Sequence, residues 1–262
     1  MSVLNVEDVS IYFGGLKAVF GFNLQLEAGE LVGLIGPNGA GKTTIFNMLT
    51  GVYTPNEGKI QLILKNNYKN IKGLKPHQIT RLGMARTFQN IRLFKDLSVL
   101  DNVKIAYHFN VKYNALQAIC RTNRFFREEE EINEKSLELL KLFNISEKSA
   151  ELAKNLPYGE QRKLEITRAL ATNPRILLLD EPAAGMNPHE TRDLMELIQF
   201  IREKFDLTIL LIEHDMNLVM GICERIVVLD YGQIIAEGNP KSIKTNPRVI
   251  KAYLGEEVET GA

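Results

Sequence analysis

The first third of the chain alternates apolar or β-branched runs with turn residues, a pattern that predicts β-strands. The predicted strands cover residues 3–13, 22–26, 31–35 and 59–64. A helix is predicted from Lys42 to about Leu49, and Gly51 stands at the position where helices commonly end. Residues 65–75 are polar and rich in asparagine, so we expect a connection without regular structure there.

The middle of the chain, from about residue 99 to 152, has the spacing of helices. Leu139, Leu140 and Phe143 recur at helical spacing between charged segments. We therefore predict an α-helical subdomain over residues 99–152, inserted into a core made of residues 1–98 and 153–262. The charged run at residues 121–131 interleaves both signs, which favours a solvated helix face over an interaction patch.

The last third returns to alternating strands and helices. Two continuous apolar runs, residues 176–179 and 208–212, are typical of strands buried on both faces of a parallel sheet. Between them, one helix stripe is formed by Leu194, Leu197, Ile198 and Ile201. Residues 226–229 and 233–236 form a predicted hairpin, and the acidic tail at 255–262 is predicted to be disordered. The pattern predicts an α/β fold with a mixed sheet.

Composition narrows the class of protein. A chain of 262 residues suits one compact α/β domain or two closely joined lobes. Lys plus Arg and Asp plus Glu each number 32, and the zero net charge argues against a nucleic-acid binder. Cys120 and Cys223 have no metal-ligand spacing and suggest a reducing compartment. We expect no signal peptide, and no apolar run approaches the roughly 20 residues that span a bilayer, so any membrane role is expected to be peripheral.

The strongest chemical signal is a glycine-rich run between the third predicted strand and the first predicted helix. Its residues are Gly36, Pro37, Asn38, Gly39, Ala40, Gly41, Lys42, Thr43 and Thr44. This spacing is that of a phosphate-binding loop, in which backbone N–H groups and a helix N-terminus surround phosphate oxygens. Lys42 is expected to reach the β- and γ-phosphates of ATP, and the Thr43 hydroxyl to bind Mg²⁺. The alternative is an ordinary glycine turn.

Two carboxylates end the buried strand at residues 176–179. Functional residues in open α/β sheets lie at the carboxyl ends of the strands. There Asp180 is expected to hold Mg²⁺, directly or through water, and Glu181 to act as general base for the attacking water. The alternative is an acidic strand-to-loop transition without a function.

A third motif precedes that strand and gives the chain a family resemblance. It consists of Leu156, Pro157, Tyr158, Gly159 and Glu160. The run resembles the ABC signature LSGGQ, and the three motifs in this order resemble an ABC ATPase over essentially the whole chain. Four segments have sequences similar to those of the ATP-binding subunits of branched-chain amino acid importers: residues 86–89, 181–188, 212–215 and 252–256.

The resemblance implies a fold and a mechanism. The fold is a P-loop NTPase core with an N-terminal antiparallel β subdomain and an inserted helical subdomain. Two subunits would enclose two ATP molecules, each held by one phosphate loop and the partner's signature. Pro157 replaces the usual serine and Tyr158 a glycine, so fewer hydrogen bonds to ATP are expected across the dimer, and backbone contacts near Gly159 must carry more.

The resemblance also assigns roles to four further residues. Gln89 would touch Mg²⁺ and the attacking water, and His214 would contact the γ-phosphate. Tyr12 would stack on adenine, and Asn187 would belong to a loop that crosses the dimer interface. The alternatives are a solvent-facing glutamine, a surface histidine and a tyrosine packed on its own sheet. Asn187 also starts a predicted capping box with Glu190.

Partners and location follow from the same resemblance. It implies a second ATP-binding subunit, identical or homologous, transmembrane permease subunits and, indirectly, an external solute-binding protein. It places the chain on the cytoplasmic face of the cell membrane. Two other functions stay open: the ATPase of a lipopolysaccharide-type exporter, and a soluble ABC-type switch in DNA repair or translation.

Overall fold

The computed structural model describes residues 1–64 and 67–254 of the chain. The tail predicted over residues 255–262 lies outside the described residues. Among the residues that are described, no helix is both long enough and apolar enough to cross a membrane.

The chain divides into two compact units. The first combines Met1–Arg86 with Arg175–Ala262, and the second is Thr87–Pro174. The second unit contains the predicted helical subdomain, residues 99–152, and extends beyond it at both ends.

The described strands all belong to the first unit. They are β1 Ser2–Phe13, β2 Leu16–Glu27, β3 Leu31–Ile35, β4 Glu57–Leu64, β5 Asn67–Asn70, β6 Met84–Arg86, β7 Ile176–Asp180, β8 Thr208–Ile212, β9 Arg225–Asp230 and β10 Gln233–Gly238. An antiparallel sheet has the order β2-β1-β4-β5, and a second sheet has the order β10-β9-β3-β8-β7-β6. This second sheet is parallel apart from β10, which pairs antiparallel with β9. The predicted mixed α/β fold is confirmed.

Burial explains which strands the sequence revealed. Every residue of β3, β7 and β8 is buried, as expected for the central strands of a sheet with both faces covered. The prediction of an irregular connection was wrong for Asn67–Asn70, which form β5. All four residues of β5 are exposed, so its pairing with β4 leaves no hydrophobic signal in the sequence.

Helices cover both units. The first unit contains α1 Lys42–Leu49, α2 Pro76–Arg81, α7 Pro188–Lys204, α8 Met216–Ile222, α9 Pro240–Lys244 and α10 Pro247–Leu254, and the second contains α3 Val99–Tyr107, α4 Ala115–Ile119, α5 Asn123–Leu142 and α6 Tyr158–Leu170. In α7 the predicted stripe is buried at Leu194, Ile198 and Ile201. Gly51 has a φ of 73° and ends α1 as predicted.

The second unit packs its helices around a small apolar core. Leu139 and Leu140 of α5 are buried, and Phe143 at its end is 2% exposed. The charged run on α5 forms pairs within the unit, such as Arg124 Nε with Glu128 Oε1 at 2.9 Å. This arrangement agrees with the predicted solvated helix face.

Candidate functional site

The glycine-rich loop joins the buried strand β3 to α1, and backbone geometry requires glycine at two of its positions. Gly36 has a φ of 151°, and a Cβ there would lie 2.0 Å from the Leu229 carbonyl oxygen. Gly41 has a φ of 103°, and a Cβ would lie 2.9 Å from the Ala18 carbonyl oxygen. The loop therefore passes too close to neighbouring backbone for any side chain at these positions.

The loop ends at the N-terminus of α1, which has no side-chain cap. Gly41 is the N-cap of α1 and has no side chain to accept a hydrogen bond from the first turn. The backbone N–H groups of that turn therefore point out of the helix with the positive end of the helix dipole, an arrangement that favours an anion. Thr43 lies exposed in this first turn, with Thr44 half-buried beside it.

Lys42 folds back over its own loop. Its Nζ donates to the carbonyl oxygens of Gly36 at 2.6 Å and Pro37 at 2.9 Å, and the residue is only 7% exposed. Burial lowers the pKa of Lys42, while the carboxylates of Glu181 and Asp180 act in the opposite direction. The ammonium group therefore lies over the loop and within the field of both carboxylates.

Asp180 ends β7 in a buried ion pair with Arg86, the last residue of β6. Arg86 Nη2 donates to Asp180 Oδ2 at 2.5 Å, and the two side chains are 6% and 5% exposed. The parallel pairing of β6 with β7 sets Arg86 beside Leu178, two residues before the aspartate. In the sequence, Arg86 is part of the family motif at residues 86–89, and that motif predicted no place for it in the site.

Glu181 follows in a backbone conformation that is uncommon for a residue with a side chain. Its φ is 45°, in the left-handed region, and its N–H donates to the Ile212 carbonyl oxygen at 2.9 Å. Such strain, of order 1–3 kcal/mol, is concentrated at functional sites. His214 Nδ1 lies 3.6 Å from Glu181 Oε2, and the histidine side chain is 61% exposed. The structure thus brings these two predicted residues together at the ends of β7 and β8.

Glu213 is a buried residue of this region that the sequence analysis did not assign to the site. Its Oε1 accepts the N–H of Ala183 at 2.7 Å, and its Oε2 accepts the N–H of His214 at 3.0 Å. Burial raises the pKa of Glu213 despite these backbone donors. The side chain therefore ties together the loops that carry Glu181 and His214. The sequence signals for Glu213 are its position after an apolar strand and its place in the motif at residues 212–215.

The predicted signature lies in the second unit, at the start of α6. Leu156 is buried, and Pro157 is the N-cap of α6 without a side-chain hydrogen bond. Tyr158 is 44% exposed and Gly159 follows in the first turn. The Glu160 carboxylate is occupied within the unit, since both of its oxygens accept from Lys148 Nζ at 2.7 Å. What the helix offers is an N-terminus free of side-chain caps.

Gln89 also lies in the second unit, on a segment whose backbone accepts hydrogen bonds from Arg162 of α6. Arg162 Nη1 donates to the Phe88 carbonyl oxygen at 2.7 Å, and its Nη2 donates to that of Gln89 at 2.8 Å. Arg162 pairs with Glu165 at 2.7 Å, and their side chains are 0% and 2% exposed. Glu165 in turn accepts the N–H of Arg92 at 3.0 Å. A buried ion pair thus fixes the backbone around Gln89.

Asn187 caps α7 as predicted. Its side-chain oxygen accepts the N–H groups of His189 at 2.9 Å and Glu190 at 3.0 Å, and Glu190 Oε2 accepts the Asn187 N–H at 2.9 Å. The reciprocal capping box is therefore confirmed, with Pro188 in the first turn.

Tyr12 lies near the end of β1, where its hydroxyl donates to Glu57 Oε2 at 3.1 Å. The next residue, Phe13, is 44% exposed, and its ring meets that of Tyr53 edge-on at 5.2 Å between centroids. Adjacent residues of a strand point to opposite faces. Phe13 is therefore a second aromatic candidate for adenine, in addition to the predicted Tyr12.

The residues at this site fit Mg²⁺ held together with a phosphate. No group of three or more His, Cys, Asp or Glu side chains that could hold a metal ion occurs in the described part of the chain. Mg²⁺ usually takes only one or two protein ligands, with phosphate oxygens and water as the others. The buried Asp180 carboxylate and the Thr43 hydroxyl match that requirement.

A cleft of about 680 Å³ lies beside the loop, between Pro37–Ala40 and α10 residues Arg248 and Lys251.

Comparisons with known proteins agree with this geometry. A family model described as ABC transporter matches residues 19–184, and one described as branched-chain amino acid ATP-binding cassette transporter matches residues 233–259. The chain is 49% identical over 254 residues to the high-affinity branched-chain amino acid transport ATP-binding protein BraF of Pseudomonas aeruginosa, covering 97% of this chain and 98% of that protein.

Two solved structures are similar as well. The ADP conformation of MJ1267, an ATP-binding cassette of an ABC transporter, matches with a TM-score of 0.83 and 32% identity, covering 98% of this chain and 100% of that one. A dimeric post-hydrolysis state of the ATP-binding cassette MJ0796, bound to ADP and Pi, matches with a TM-score of 0.73 and 26% identity over 90% of this chain and 98% of that one.

Proposed function

The chain belongs to the ABC transporter family of ATP-binding proteins, and from that premise we propose that it is the ATP-hydrolysing subunit of a branched-chain amino acid importer. Members of this family are ATPases coupled to transport. The observation that supports a branched-chain amino acid as the transported solute is the 49% identity to BraF over nearly the full length of both chains. The family model over residues 233–259 supports an amino acid cargo over a lipopolysaccharide.

ATP binding is assigned to the loop from Gly36 to Thr44. The close backbone approach at Gly36 and Gly41 and the absence of a side-chain cap on α1 leave N–H groups for phosphate oxygens. Lys42 would exchange its two carbonyl partners for the β- and γ-phosphates. An aromatic side chain at the end of β1, Tyr12 or Phe13, would stack on the adenine.

Hydrolysis is assigned to the carboxyl ends of β7 and β8. Glu181 would take the proton of the attacking water, and His214, whose Nδ1 lies 3.6 Å from it, would contact the γ-phosphate. Asp180, Thr43 and Gln89 would hold Mg²⁺, which would neutralise charge on the phosphates when bound. Glu213 keeps the two loops in register through its hydrogen bonds to backbone N–H groups.

The working form is proposed to be a dimer. The signature residues from Leu156 to Glu160 would press the N-terminus of α6 on the ATP held by the partner, and Asn187 would lie at the interface. The uncapped start of α6 supports this role, because it offers backbone donors where Pro157 has no hydroxyl. The dimeric MJ0796 structure with ADP and Pi supports the assembly.

Membrane partners complete the proposal. Transmembrane permease subunits would receive the closing motion through the helical subdomain, residues 99–152. A solute-binding protein would act from outside, and this chain would lie peripherally on the cytoplasmic face of the membrane.

The proposal is tested by purification of the tagged chain from its native membrane, with mass spectrometry of what accompanies it. We expect permease subunits, and vesicles containing that complex should take up leucine, isoleucine or valine only when ATP is supplied. Recovery with permeases that transport another solute in the same assay would refute the cargo and leave the ATPase assignment standing.

A Glu181→Gln variant tests the hydrolytic site. Loss of a general base should slow ATP hydrolysis about 10²–10⁴-fold, while ATP affinity changes little. The variant should therefore accumulate as an ATP-bound dimer, which light scattering detects. A monomeric variant that hydrolyses ATP at the parental rate would show that another residue is the base.

A further inference from the structure

Arg86 is held in one place by contacts on three sides. Its Nη2 pairs with Asp180 at 2.5 Å, and its Nη1 donates to Asn47 Oδ1 at 2.8 Å and to Thr50 Oγ1 at 3.3 Å. The guanidinium carbon lies 5.4 Å from the centroid of the Phe46 ring, which adds a cation–π contact. The last three of these residues lie on α1 or at its end, so the arginine joins that helix to β7.

The same carboxylate is the one proposed to receive Mg²⁺. Asp180 is 3% exposed, and an unpaired buried carboxylate is strongly disfavoured. The guanidinium therefore performs, in the metal-free protein, the neutralising role that a metal ion would otherwise have. Because it shares the carboxylate, it lies only a few ångströms from any cation bound there.

The formal charges around Asp180 indicate under which condition a metal ion can bind there. Lys42 and Arg86 contribute two positive charges, and Asp180 and Glu181 contribute two negative charges, so these four groups sum to zero. Mg²⁺ alone would raise the sum to plus two beside the positively charged guanidinium of Arg86. Mg²⁺ that enters with a nucleotide brings negative phosphates and avoids this repulsion.

We propose that Arg86 is a positioning residue that serves as the internal counter-ion of Asp180 and makes divalent-cation binding depend on bound nucleotide. It keeps the nucleotide-free site closed to metal ions and holds the Asp180 carboxylate in place through Oδ2. The inference rests on the proposed function, since it takes Asp180 as a metal-binding residue.

Equilibrium dialysis with Mn²⁺ tests the inference without any measurement of activity. Nucleotide-free wild-type protein should show no saturable Mn²⁺ uptake. Arg86→Gln should gain a saturable Mn²⁺ site, with an affinity at least about tenfold higher than that of the nucleotide-free wild type. The reason is that a unit charge a few ångströms from a divalent ion is removed. Addition of Asp180→Asn to that variant should abolish the gained site, which would show that the uptake occurs at this carboxylate.

Two further variants separate charge from structure. Arg86→Lys keeps the positive charge and should exclude Mn²⁺ as the wild type does, even if Arg86→Gln does not fold. Arg225→Gln removes another partly buried arginine of the same unit, which pairs with Glu30 and Glu237, and should leave Mn²⁺ uptake unchanged. Uptake by nucleotide-free Arg86→Lys or by wild type, or no gain in folded Arg86→Gln, would overturn the inference.

A nucleotide arm distinguishes this failure from failure of the proposed function. With ADP in both chambers, the wild-type chamber should hold an excess of Mn²⁺ over the protein-free chamber. If that excess is absent, the nucleotide site itself is wrong. If it is present while Arg86→Gln takes up no Mn²⁺ without ADP, only the role of Arg86 is refuted.

Discussion

The replacement of Arg162 by methionine should be among the most destabilising single changes in the second unit. It leaves the Glu165 carboxylate, 2% exposed in its side chain, without its cation, and it removes the donors to the carbonyl groups of Phe88 and Gln89. Breaking a buried ion pair from one side costs about 3–5 kcal/mol. The loss exceeds that of an ordinary hydrogen bond because a buried charge remains unpaired.

Urea unfolding followed by circular dichroism measures the effect. With a urea dependence of about 2–3 kcal/mol per molar, the midpoint should fall by about 1–2.5 M. Arg124→Met in the same unit is the matched control, because its pair with Glu128 involves a side chain that is 45% exposed. An exposed pair contributes at most about 1 kcal/mol, so this control should change the midpoint little.

A double variant tests the reasoning more sharply. Arg162→Met with Glu165→Leu removes both charges of the pair, and we expect it to be more stable than Arg162→Met alone, since the Glu165 carboxylate is then not left buried without Arg162. If Arg162→Met and Arg124→Met shift the midpoint equally, the buried pair is not what holds this segment. If the double variant is less stable than Arg162→Met, the unpaired-charge argument is wrong.

Four further substitutions test the loop and the signature. Lys42→Ala should abolish ATP hydrolysis with an unchanged circular dichroism spectrum, since a charge-assisted contact to phosphate contributes about 1.5–3 kcal/mol and the charge that develops in the transition state raises this contribution; retained hydrolysis would exclude the phosphate-loop assignment. Gly36→Ala should weaken binding of a fluorescent ATP analogue at least tenfold, because its Cβ would lie 2.0 Å from the Leu229 carbonyl oxygen; unchanged affinity would show that the loop can move away. Gly159→Asp should bind nucleotide as a monomer and not hydrolyse it, and hydrolysis at the parental rate would refute the sandwich mechanism. Pro157→Ser should change the free energy of ATP-driven dimerisation, measured by sedimentation, by only about 1–2 kcal/mol.

Local features of the sequence determined much of this protein. The spacing from Gly36 to Lys42 fixes the loop, because backbone conformation and a helix start depend on adjacent residues. Continuous apolar runs gave β7 and β8 their bounds to within a residue, and helical spacing predicted the buried face of α7. The capping box at Asn187 was predicted for the same reason, since both partners lie within one turn.

Pairings between residues far apart in the chain were decided only by the tertiary structure. Arg86 and Asp180 are separated by 94 positions, and Ala183 and Glu213 by 30. Neither pair leaves a periodic signal, because the partners meet through the order of β6, β7 and β8 in the sheet. The exposed strand β5 was missed because its backbone pairs with β4 while its side chains bury nothing. The sequence thus determines which groups carry the chemistry, and the sheet decides which buried charges neutralise them, because the free energy of a buried charge depends on neighbours that only folding supplies.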